Sequence, residues 1–479
     1  MKKTVLSVLI ASCVFAASAS ATTRKVPSEY PSIQMAIQDS VDGDTVLVSP
    51  GVYYETINFG GRDIVVTGTD PNDPKIVGYT IIDADGDGSA VTFENKETPA
   101  AVLTGFTITG GFGTLNTTVE GGGAFWGGGI YCFDASPTIT RNIITRNYGP
   151  TEVDLMTGQG EMSYGGGIAA IYCDPIITHN IIRNNTGMIG GGMILYIGDP
   201  LVSNNIISDN SSYIGGGVIL LGGTLINNTI TRNDCDAGPE PGIGGNLYAI
   251  FDPQFGRSQV SGNILCDAVS GGGILWQGDM PVDLFKYNNV WNNATGNYLS
   301  MNPNTGETQY DGQNDRTGTM GNISVDPLFV NPMNRDYHLT FESPCIDAGD
   351  PQWIFDEGQI DIDGQRRVHG SRIDIGADEY LGYVKPVAVA GFDQHVLVPL
   401  ETIMLDGSQS LFYDPCSVKT FRWTQVEGAS VALSDPNSAT VTFTPEAMGE
   451  YAFELIVADD RYASDADRVV VLVGANQPP

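Results

Sequence analysis

Basic side chains are scarce in this chain, with 23 Lys and Arg against 56 Asp and Glu and a formal net charge of −33. Nucleic acids and anionic lipid headgroups bind clusters of Lys and Arg, so a chain this acidic is not expected to bind nucleic acid. The same excess of acid would repel an anionic glycan unless divalent cations bridge the carboxylates. It would also keep a protein soluble in a salty, calcium-containing medium.

Cysteines are also few. One of the seven lies in the N-terminal apolar run, and the other six are irregularly spaced without CxxC pairs: Cys132, Cys173, Cys235, Cys266, Cys345 and Cys416. This spacing indicates neither a zinc site nor a disulfide scaffold. An oxidising compartment would allow one or two disulfides, whose pairing the sequence does not specify.

Long apolar runs are absent except at the start. Lys2 and Lys3 precede VLSVLIASCVFAA, and the small residues ASA follow at 19–21. This predicts a signal peptide over residues 1–21, cleaved after Ala21, although IASC at 10–13 also resembles a lipoprotein box. No later segment approaches the ~18 unbroken apolar residues of a membrane span. We therefore expect a monomer without a transmembrane segment that is secreted, at the cell surface or periplasmic.

A repeat occupies the middle of the chain. Gly triplets begin at Gly165, Gly190 and Gly215, each 25 residues after the last, and further copies begin at Gly127 and Gly271. Each copy has three short apolar pieces separated by turn residues. Two Asn lie five apart in each copy: Asn142 and Asn147, Asn180 and Asn185, Asn205 and Asn210, Asn228 and Asn233, and Asn288 and Asn293. Short β-branched pieces with Gly and Asn between them predict strands and turns.

Three strands in 25 residues predict a coil whose turns stack ~4.8 Å apart in parallel sheets. Stacking would place four asparagines above one another as a hydrogen-bonded ladder: Asn142, Asn180, Asn205 and Asn228. It would also form two inward apolar columns: Ile130, Ile168, Met193 and Val218, then Ile139, Ile177, Val202 and Leu225. The predicted class is all-β, with a parallel β-helix as its main domain.

These copies resemble the right-handed parallel β-helix repeats of the pectate-lyase superfamily. The segment from SEYPSIQMAIQDS to PGVY resembles the N-terminal cap of that superfamily, with an amphipathic helix carrying Ile33, Ala36, Ile37 and Val41. DPLFVNPMNRDYHLTFESPCIDAGD and DIDGQRRVHGSRIDIGADEY resemble a choice-of-anchor closing module of secreted β-helix proteins. The resemblance implies a β-helix over 24–325 and a closing module over 326–381. It does not imply a reaction, because this architecture carries lyases, hydrolases, binders and adhesins.

A second domain is expected over residues 386–474. Short alternating segments with turn residues between them predict an Ig-like β-sandwich. The segment resembles a PKD domain, with Trp423 as its core aromatic residue and LDGS at 405–408 ending an early strand. Residues 475–479 read as a linker or as the start of a further module.

A lyase of the resembled superfamily would need acidic calcium ligands and a basic residue on the strand after the Gly triplet. The outward residues predicted on that strand carry no such groups: Tyr131, Ala169, Ile194, Ile219 and Leu275. The insertion at 148–164 offers Glu152, Asp154 and Glu161 instead. Paired carboxylates there could act as acid and base on a glycoside, and a solvated acidic loop has the same composition.

Five aspartates are candidate calcium ligands. The stretch DADGDGSAVTFE at 83–94 matches the calcium-loop pattern, with Asp83, Asp85 and Asp87 at its first, third and fifth positions. Strand-like flanks argue against an EF-hand, so we expect a structural calcium ion on a tight turn and no calcium sensor. Asp174 and Asp199 each precede a proline 25 residues apart, and a cation could lie between them. Ordinary Asp-Pro turns would give the same pattern.

Three further groups are ambiguous. His179 and Arg183 are expected to face outward as solvated residues. Charged residues of the closing module are expected to form capping salt bridges: Asp361, Asp363, Arg366, Arg367, Asp374 and Glu379. Three tryptophans could stack on sugar rings or fill columns of the coil: Trp126, Trp276 and Trp291.

Two functions remain open from the sequence. The first is an exported polysaccharide lyase or glycoside hydrolase that uses the 148–164 insertion, with calcium as a structural ion. The second is a non-catalytic structural or adhesive protein whose β-helix is a rigid binding stalk. Both imply a polysaccharide or cell-surface glycan as the partner, so polysaccharide interaction is the functional expectation.

Overall fold

The computed structural model describes residues 21–119, 123–150, 153–154, 159–235, 242–278, 280–301, 308–309, 315–353, 359–382, 386–397, 402–412, 419–459 and 463–474. At 153–154 and 159–160 only the backbone is described, and the same holds for Pro253 and Gln309. The chain divides into two compact units, residues 1–381 and 382–479.

Three long sheets form the first unit. Sheet A contains, in spatial order, Thr23–Val26, Thr45–Val48, Val65–Gly68, Val102–Thr104, Thr138–Thr140, Ile176–Thr178, Leu201–Ser203, Gly223–Ile226, Ser258–Ser261 and Phe285–Lys286. Sheet B contains Gly51–Tyr54, Thr80–Asp83, Thr107–Thr109, Ile143–Thr145, Ile181–Arg183, Ile206–Ser208, Thr229–Thr231, Ile264–Cys266 and Asn289–Trp291. Sheet C contains Ile57–Asn58, Val91–Phe93, Ile130–Phe133, Ile168–Ile171, Met193–Tyr196, Val218–Leu221, Leu247–Phe251, Ile274–Gly278, Tyr298–Met301 and Thr308–Gln309.

The repeat generates these sheets directly. Each copy places one strand in sheet C after its Gly triplet, then one in sheet A and one in sheet B, and successive copies pair in parallel. Both predicted inward columns pair in register and are fully buried: Ile130, Ile168, Met193 and Val218, and Ile139, Ile177, Val202 and Leu225. Each such side chain contributes about 1.5–3 kcal/mol by leaving water. The predicted parallel β-helix is confirmed.

Two asparagine ladders run between the sheets. In the first, Oδ1 of Asn205 accepts hydrogen bonds from the backbone N and from Nδ2 of Asn180, at 2.9 and 3.1 Å. Oδ1 of Asn228 likewise accepts hydrogen bonds from the backbone N and from Nδ2 of Asn205, both at 3.0 Å. The ladder continues through residues that the repeat pattern had not included: Asn263 and Asn322. The second ladder joins Asn147, Asn185, Asn210, Asn233, Asn246 and Asn293.

The Gly triplets turn the chain into sheet C. The first glycine of a triplet is left-handed, as at Gly190 with φ +75°, where a side chain would be strained. A Cβ on the second glycine, Gly191, would lie 2.5 Å from the carbonyl oxygen of Ser211 and 2.6 Å from that of Gly216. The triplets therefore permit backbone contacts that any larger residue would prevent.

Two short helices cap or interrupt the coil. Helix α1 (Ile33–Gln38) buries Ile33, Ala36 and Ile37 against the first coil, as predicted. Val41 lies beyond the end of α1 and is exposed, because Asp44 holds the turn after the helix through the backbone N of Val41 at 2.9 Å. Helix α2 (Pro74–Tyr79) replaces part of a predicted strand.

The described residues of the closing module, 326–353 and 359–381, include a part that packs against sheet B. Their hairpin pairs Phe329–Asn331 with Asp336–Leu339, and a short 3-10 helix (Pro332–Asn334) lies between those strands. Leu339, Cys345 and Ile375 form an apolar cluster with Ile264 and Cys266 of sheet B. Five cysteines in the described part of the chain are buried free thiols, and Cys416 lies outside that part.

Smaller elements complete the first unit. A three-stranded sheet contains Thr114–Asn116, Ala124–Trp126 and Met162–Tyr164. Two strand pairs join Val153–Asp154 with Gln159–Gly160, and Ser211–Ser212 with Asp234–Cys235. Two 3-10 helices lie at Pro253–Phe255 and Val282–Leu284. No described helix has the length and apolar character needed to cross a membrane.

The second unit is a small β-sandwich. One sheet contains Gln394–Leu397, Asp467–Gly474, Gly449–Ala458 and Thr420–Glu427, and the other pairs Ile403–Asp406 with Thr440–Phe443. Trp423 is buried in its core, and its indole N–H donates to the carbonyl oxygen of Ser438 at 3.2 Å. This confirms the predicted Ig-like sandwich and its core tryptophan.

Candidate functional site

The outer face of sheet C is apolar at the level of the Gly-triplet copies. Tyr131, Ala169, Ile194 and Ile219 stand side by side on it, in register from strand to strand, and are nearly inaccessible to water. They pack in a cluster separate from the interior core, together with the residues that precede each triplet: Trp126, Tyr164, Ile189 and Ile214. As the sequence indicated, these four described positions offer neither a carboxylate nor a basic residue for a lyase reaction.

Aromatic rings concentrate at one end of this face. We call Trp126, Tyr131, Phe133, Tyr164, Tyr172 and Tyr196 the aromatic cluster. Trp126 stacks on Tyr164 with ring centroids 4.2 Å apart, and Tyr196 meets Trp126 edge-on at 6.0 Å. The rings continue from Tyr196 to Tyr172 at 5.9 Å. From Tyr172 they continue to Phe133 at 6.2 Å, and from Phe133 to Tyr131 at 6.3 Å.

Separate turns of the coil bring these rings together. Phe133 and Tyr196 end sheet-C strands and point outward, while Tyr172 follows such a strand in the left-handed conformation with φ +55°. Trp126 and Tyr164 lie on neighbouring parallel strands just before two Gly triplets. The backbone register thus places the rings next to one another.

The cluster combines accessible rings with polar edges. The side chain of Tyr172 is 43% exposed, and Phe133, Tyr164 and Tyr196 are partly exposed. The indole N–H of Trp126 is buried without a hydrogen-bond partner among the described residues. Burial raises the pKa of Tyr131 to about 12, so its phenol is neutral and accepts a hydrogen bond from Nδ2 of Asn116 at 2.6 Å.

The 148–164 insertion adjoins this cluster at its end. Tyr164 is the last residue of the insertion and carries the ring that stacks on Trp126. Glu161 is exposed. Glu152 and the side chain of Asp154 lie outside the described residues, so the catalytic role predicted for the three carboxylates stays a prediction.

The predicted calcium turn lies between two strands. Asp83 ends a sheet-B strand, and its Oδ1 accepts the backbone N–H of Asp85 at 3.0 Å. Glu94 follows the sheet-C strand Val91–Phe93 and accepts from Nδ2 of Asn58 at 3.0 Å. The turn is therefore no EF-hand, although the flank before Asp83 begins as helix α2 and not as a strand. Asp73 caps that helix by accepting from the backbone N of Lys75 at 2.8 Å, a helix-start signal that the strand prediction overlooked.

Asp174 and Asp199 stack one coil apart, as their spacing predicted. Oδ1 of Asp174 accepts the backbone N–H of Asp199 at 2.6 Å, and both residues are exposed. This bond gives the Asp174 carboxylate a structural role in the turn. Calcium binding at Asp83, Asp85, Asp87, Asp174 and Asp199 stays a prediction.

A histidine between two carboxylates was missed in the sequence. Nδ1 of His338 contacts Asp336, and Nε2 contacts Asp363 at 2.6 Å. Burial disfavours the charged ring, but the two carboxylates raise the pKa of His338 well above its usual value. His338, Asp363 and Asp378 are the one group in the described part of the chain whose ligand atoms could converge on a metal ion. A charged imidazolium there accounts for the same contacts.

Arg367, Asp374 and Glu379 of the closing module are buried, and their hydrogen bonds connect side chains with backbone groups. Nη2 of Arg367 donates to the carbonyl oxygens of Asp374, at 3.1 Å, and of Gly376. Asp374 and Glu379 accept backbone N–H groups instead of guanidinium groups, among them Tyr380 on Asp374 at 2.7 Å. The module is held by a network of side chain to backbone bonds.

His179 differs from its expected solvated state. Its Nε2 lies 3.0 Å from the carbonyl oxygen of Ile360, and its Nδ1 lies 2.8 Å from Oγ1 of Thr178. Burial, with Arg141 and Arg367 nearby, lowers the pKa of His179 to about 4. Of the tryptophans, Trp276 fills the interior core, Trp291 packs under the closing module, and Trp126 belongs to the aromatic cluster.

Comparison with known families supports both units. Residues 77–235 match the model of the right-handed β-helix region, and residues 390–473 match a model of the PKD domain. The chain therefore carries a right-handed β-helix followed by a PKD domain. The choice-of-anchor identity of the closing module stays a prediction.

The similar curated proteins match only a short part of this chain. The chain is 36% identical over 97 residues to the Dyslexia-associated protein KIAA0319 homolog of Rattus norvegicus and to the Dyslexia-associated protein KIAA0319 of Homo sapiens. Each alignment covers 20% of this chain and 9% of the relative, so the chain spans less than a tenth of these relatives.

Two solved structures are also similar. The PKD domain from KIAA 1837 protein is 30% identical, with a TM-score of 0.18, over 20% of this chain and 94% of that domain. A PL6 family alginate lyase is 11% identical, with a TM-score of 0.21, over 79% of this chain and 61% of the lyase.

Proposed function

We propose that this protein is an exported polysaccharide-binding protein whose aromatic cluster on the outer face of sheet C holds the sugar chain. The single observation that carries the proposal is the continuous series of rings from Trp126 and Tyr164 through Tyr196 to Tyr172. Pyranose rings present apolar C–H faces and polar edges, which match aromatic faces bordered by hydroxyl groups.

Several features support a binding surface. The backbone register holds the rings before any ligand arrives, so binding costs little conformational entropy. The exposed edge of Tyr172 carries a hydroxyl that can bond to a sugar hydroxyl. The rings come from separate coils, whose ~4.8 Å spacing lets an extended chain contact more than one of them.

The non-catalytic form of this proposal has more support than the catalytic form. Among the residues that the structure describes, the outer-face positions Tyr131, Ala169, Ile194 and Ile219 beside the rings carry no carboxylate and no basic group. In this form the β-helix is a rigid stalk, and its location is the cell exterior, the cell surface or the periplasm. The catalytic form is a polysaccharide lyase or glycosidase acting through Glu152, Asp154 and Glu161.

Binding is tested on a panel of neutral and acidic polysaccharides by affinity electrophoresis. Tyr172→Ala and Tyr196→Ala should each weaken binding by about tenfold, because each removes one stacking face. Tyr79→Ala is the matched control, since Tyr79 is 70% exposed on helix α2, away from the aromatic cluster. Equal binding by all three variants and the wild type would refute the proposal.

Turnover is measured on the same panel by reducing-end and unsaturated-product assays, with and without calcium. The stalk form predicts no product. Product formation that is lost in Glu152→Ala, Asp154→Ala and Glu161→Ala would instead establish the catalytic form.

A further inference from the structure

Four arginines gather on a different face of this acidic protein, at the margin of sheet B. We call Arg146, Arg183, Arg232 and Arg335 the arginine cluster. Three of them lie in or directly after sheet-B strands, and Arg335 follows the short 3-10 helix of the closing-module hairpin. The repeat and the closing module thus build this feature together.

The backbone register places the first three side chains along one margin of sheet B. Arg183 pairs with Thr145 on one side and with Ser208 on the other. The next residue of each coil is left-handed, which stacks four polar side chains in one column: Arg146, Asn184, Asp209 and Arg232. Coils are ~4.8 Å apart, so successive members of this column are close together, whereas Arg146 and Arg232 stand three coils apart.

Among the described residues, only the carboxylate of Asp209 is hydrogen-bonded to this cluster, and each of its two oxygens already accepts from an arginine. Oδ1 of Asp209 accepts from Nε of Arg232 at 3.0 Å, and Oδ2 accepts from Nε of Arg335 at 2.8 Å. Nη2 of Arg335 also donates to Oδ1 of Asn184 at 3.3 Å. These contacts explain Arg232 and Arg335 as the attachment of the hairpin to sheet B.

Arg146 and Arg183 have no such explanation. Neither guanidinium group donates a hydrogen bond to a side chain or carbonyl group within the described ranges, and Nε of Arg183 is buried and unpartnered. Burial lowers the pKa of Arg183, and the positive charges of Arg335 and Arg146 act in the same direction. A half-buried guanidinium group near two other positive charges is unfavourable unless an anion joins them.

We infer that the arginine cluster binds the anionic groups of an acidic glycan, with Arg146 and Arg183 contacting a carboxylate or sulfate of the sugar chain. Guanidinium groups suit this role because their N–H donors match two oxygens of a planar or tetrahedral anion. A net charge of −33 repels polyanions at long range, so an attractive site must be local. The inference rests on the proposed function for the class of polymer, but it uses other residues on another sheet.

The test compares four probes in low salt with chelator: polygalacturonate, dextran sulfate, neutral dextran and sodium sulfate. Isothermal titration with the full chain should show binding of the first two. Arg146→Gln and Arg183→Gln should each weaken that binding by about tenfold, the loss of one charged hydrogen-bonded contact. Arg372→Gln removes an exposed arginine of the closing module and should leave binding within about twofold of the wild type, because it breaks no such contact.

Asp209→Asn should change the affinity for polyanions in the opposite direction. It removes the carboxylate of the cluster, so it should tighten polygalacturonate binding while its weaker hold on Arg335 lowers the melting temperature. A purely structural role of the cluster would not produce tighter binding. Melting curves of all variants separate loss of binding from loss of fold.

Three results would overturn the inference. The first is unchanged polyanion binding in Arg146→Gln and Arg183→Gln, and the second is binding of sodium sulfate without either polymer. The third is self-association that the arginine variants abolish, which would assign the cluster to a second copy of this chain. If Tyr172→Ala weakens dextran binding while the arginine variants change nothing, the proposed function stands and this inference fails.

Discussion

The indole ring of Trp126 lies almost parallel to the phenol ring of Tyr164, with planes inclined by 12°. The two residues lie in different copies of the repeat, and the strands that carry them pair in parallel. The 148–164 insertion returns to the coil at this stack. A feature that looked like a catalytic loop in the sequence therefore contributes a ring to an aromatic surface.

The asparagine ladder should be a large source of stability. Asn205→Ala leaves the backbone N and Nδ2 of Asn180 without their acceptor in a site that excludes water. We expect a loss of about 2–4 kcal/mol in the free energy of unfolding, measured by urea denaturation. Asn72→Ala removes an exposed asparagine and should change it by less than about 0.5 kcal/mol. Equal effects of the two substitutions would contradict the role of the ladder.

Replacement by alanine at two glycines should change the free energy of unfolding in opposite directions. Gly191→Ala places a Cβ against the carbonyl oxygens of Ser211 and Gly216, which should cost about 3 kcal/mol or more. Gly78→Ala meets no atom within 4 Å inside helix α2 and should stabilise by about 0.5–1 kcal/mol. Thermal unfolding measures both. Destabilisation by Gly78→Ala would contradict the open space at Gly78, and tolerance of Gly191→Ala would contradict the close backbone contacts at Gly191.

The closing module should lose stability as pH rises. Burial, with the charge of Asp374, raises the pKa of Glu379 to about 8, and burial with Asp363 raises that of Asp361 to about 7. The folded state then holds protons that the unfolded state releases, so this stability is full below about pH 4 and is lost as pH rises through about 8. The raised pKa of His338 acts in the same direction. His179 acts oppositely, but only as pH falls from about 6.5 towards 4.

Melting temperatures between about pH 6.5 and pH 8.5 measure this effect without the contribution of His179. They should fall with rising pH, and Glu379→Gln should flatten the slope, since each unit of pKa shift corresponds to about 1.4 kcal/mol. Glu342→Gln, at an exposed position of the same module, should keep the wild-type slope. A melting temperature that rises across this range would show the opposite linkage.

Calcium should stabilise the turn at residues 83–94. Calcium added to chelator-treated protein should raise the melting temperature by a few degrees, and Asp85→Asn with Asp87→Asn should remove the rise. Glu94→Gln should retain it, because that carboxylate is already hydrogen-bonded to Asn58. Loss of the calcium effect in Glu94→Gln alone would restore the complete calcium-loop interpretation.

The sequence predicted the contacts between successive repeats. It did not predict contacts between residues that are far apart in the chain and outside the repeat. The 25-residue period placed Asn180 under Asn205 and Ile168 beside Met193, because stacking follows from spacing alone. It did not place Arg335 on Asp209, since the closing module has no repeat to define its register. Nor did it reveal that Tyr172 meets both Tyr196 and Phe133, although an aromatic residue at or just after the end of a sheet-C strand was a visible signal.

Polysaccharide binding at the aromatic cluster is the central claim, and the double variant Tyr172→Ala, Tyr196→Ala tests it most directly. Isothermal titration compares this variant, Tyr79→Ala and the wild type on whichever polysaccharide the wild type binds best. We predict loss of binding in the double variant, at least about fiftyfold, with an unchanged melting temperature and with wild-type affinity in Tyr79→Ala. Wild-type affinity in the double variant would contradict the claim.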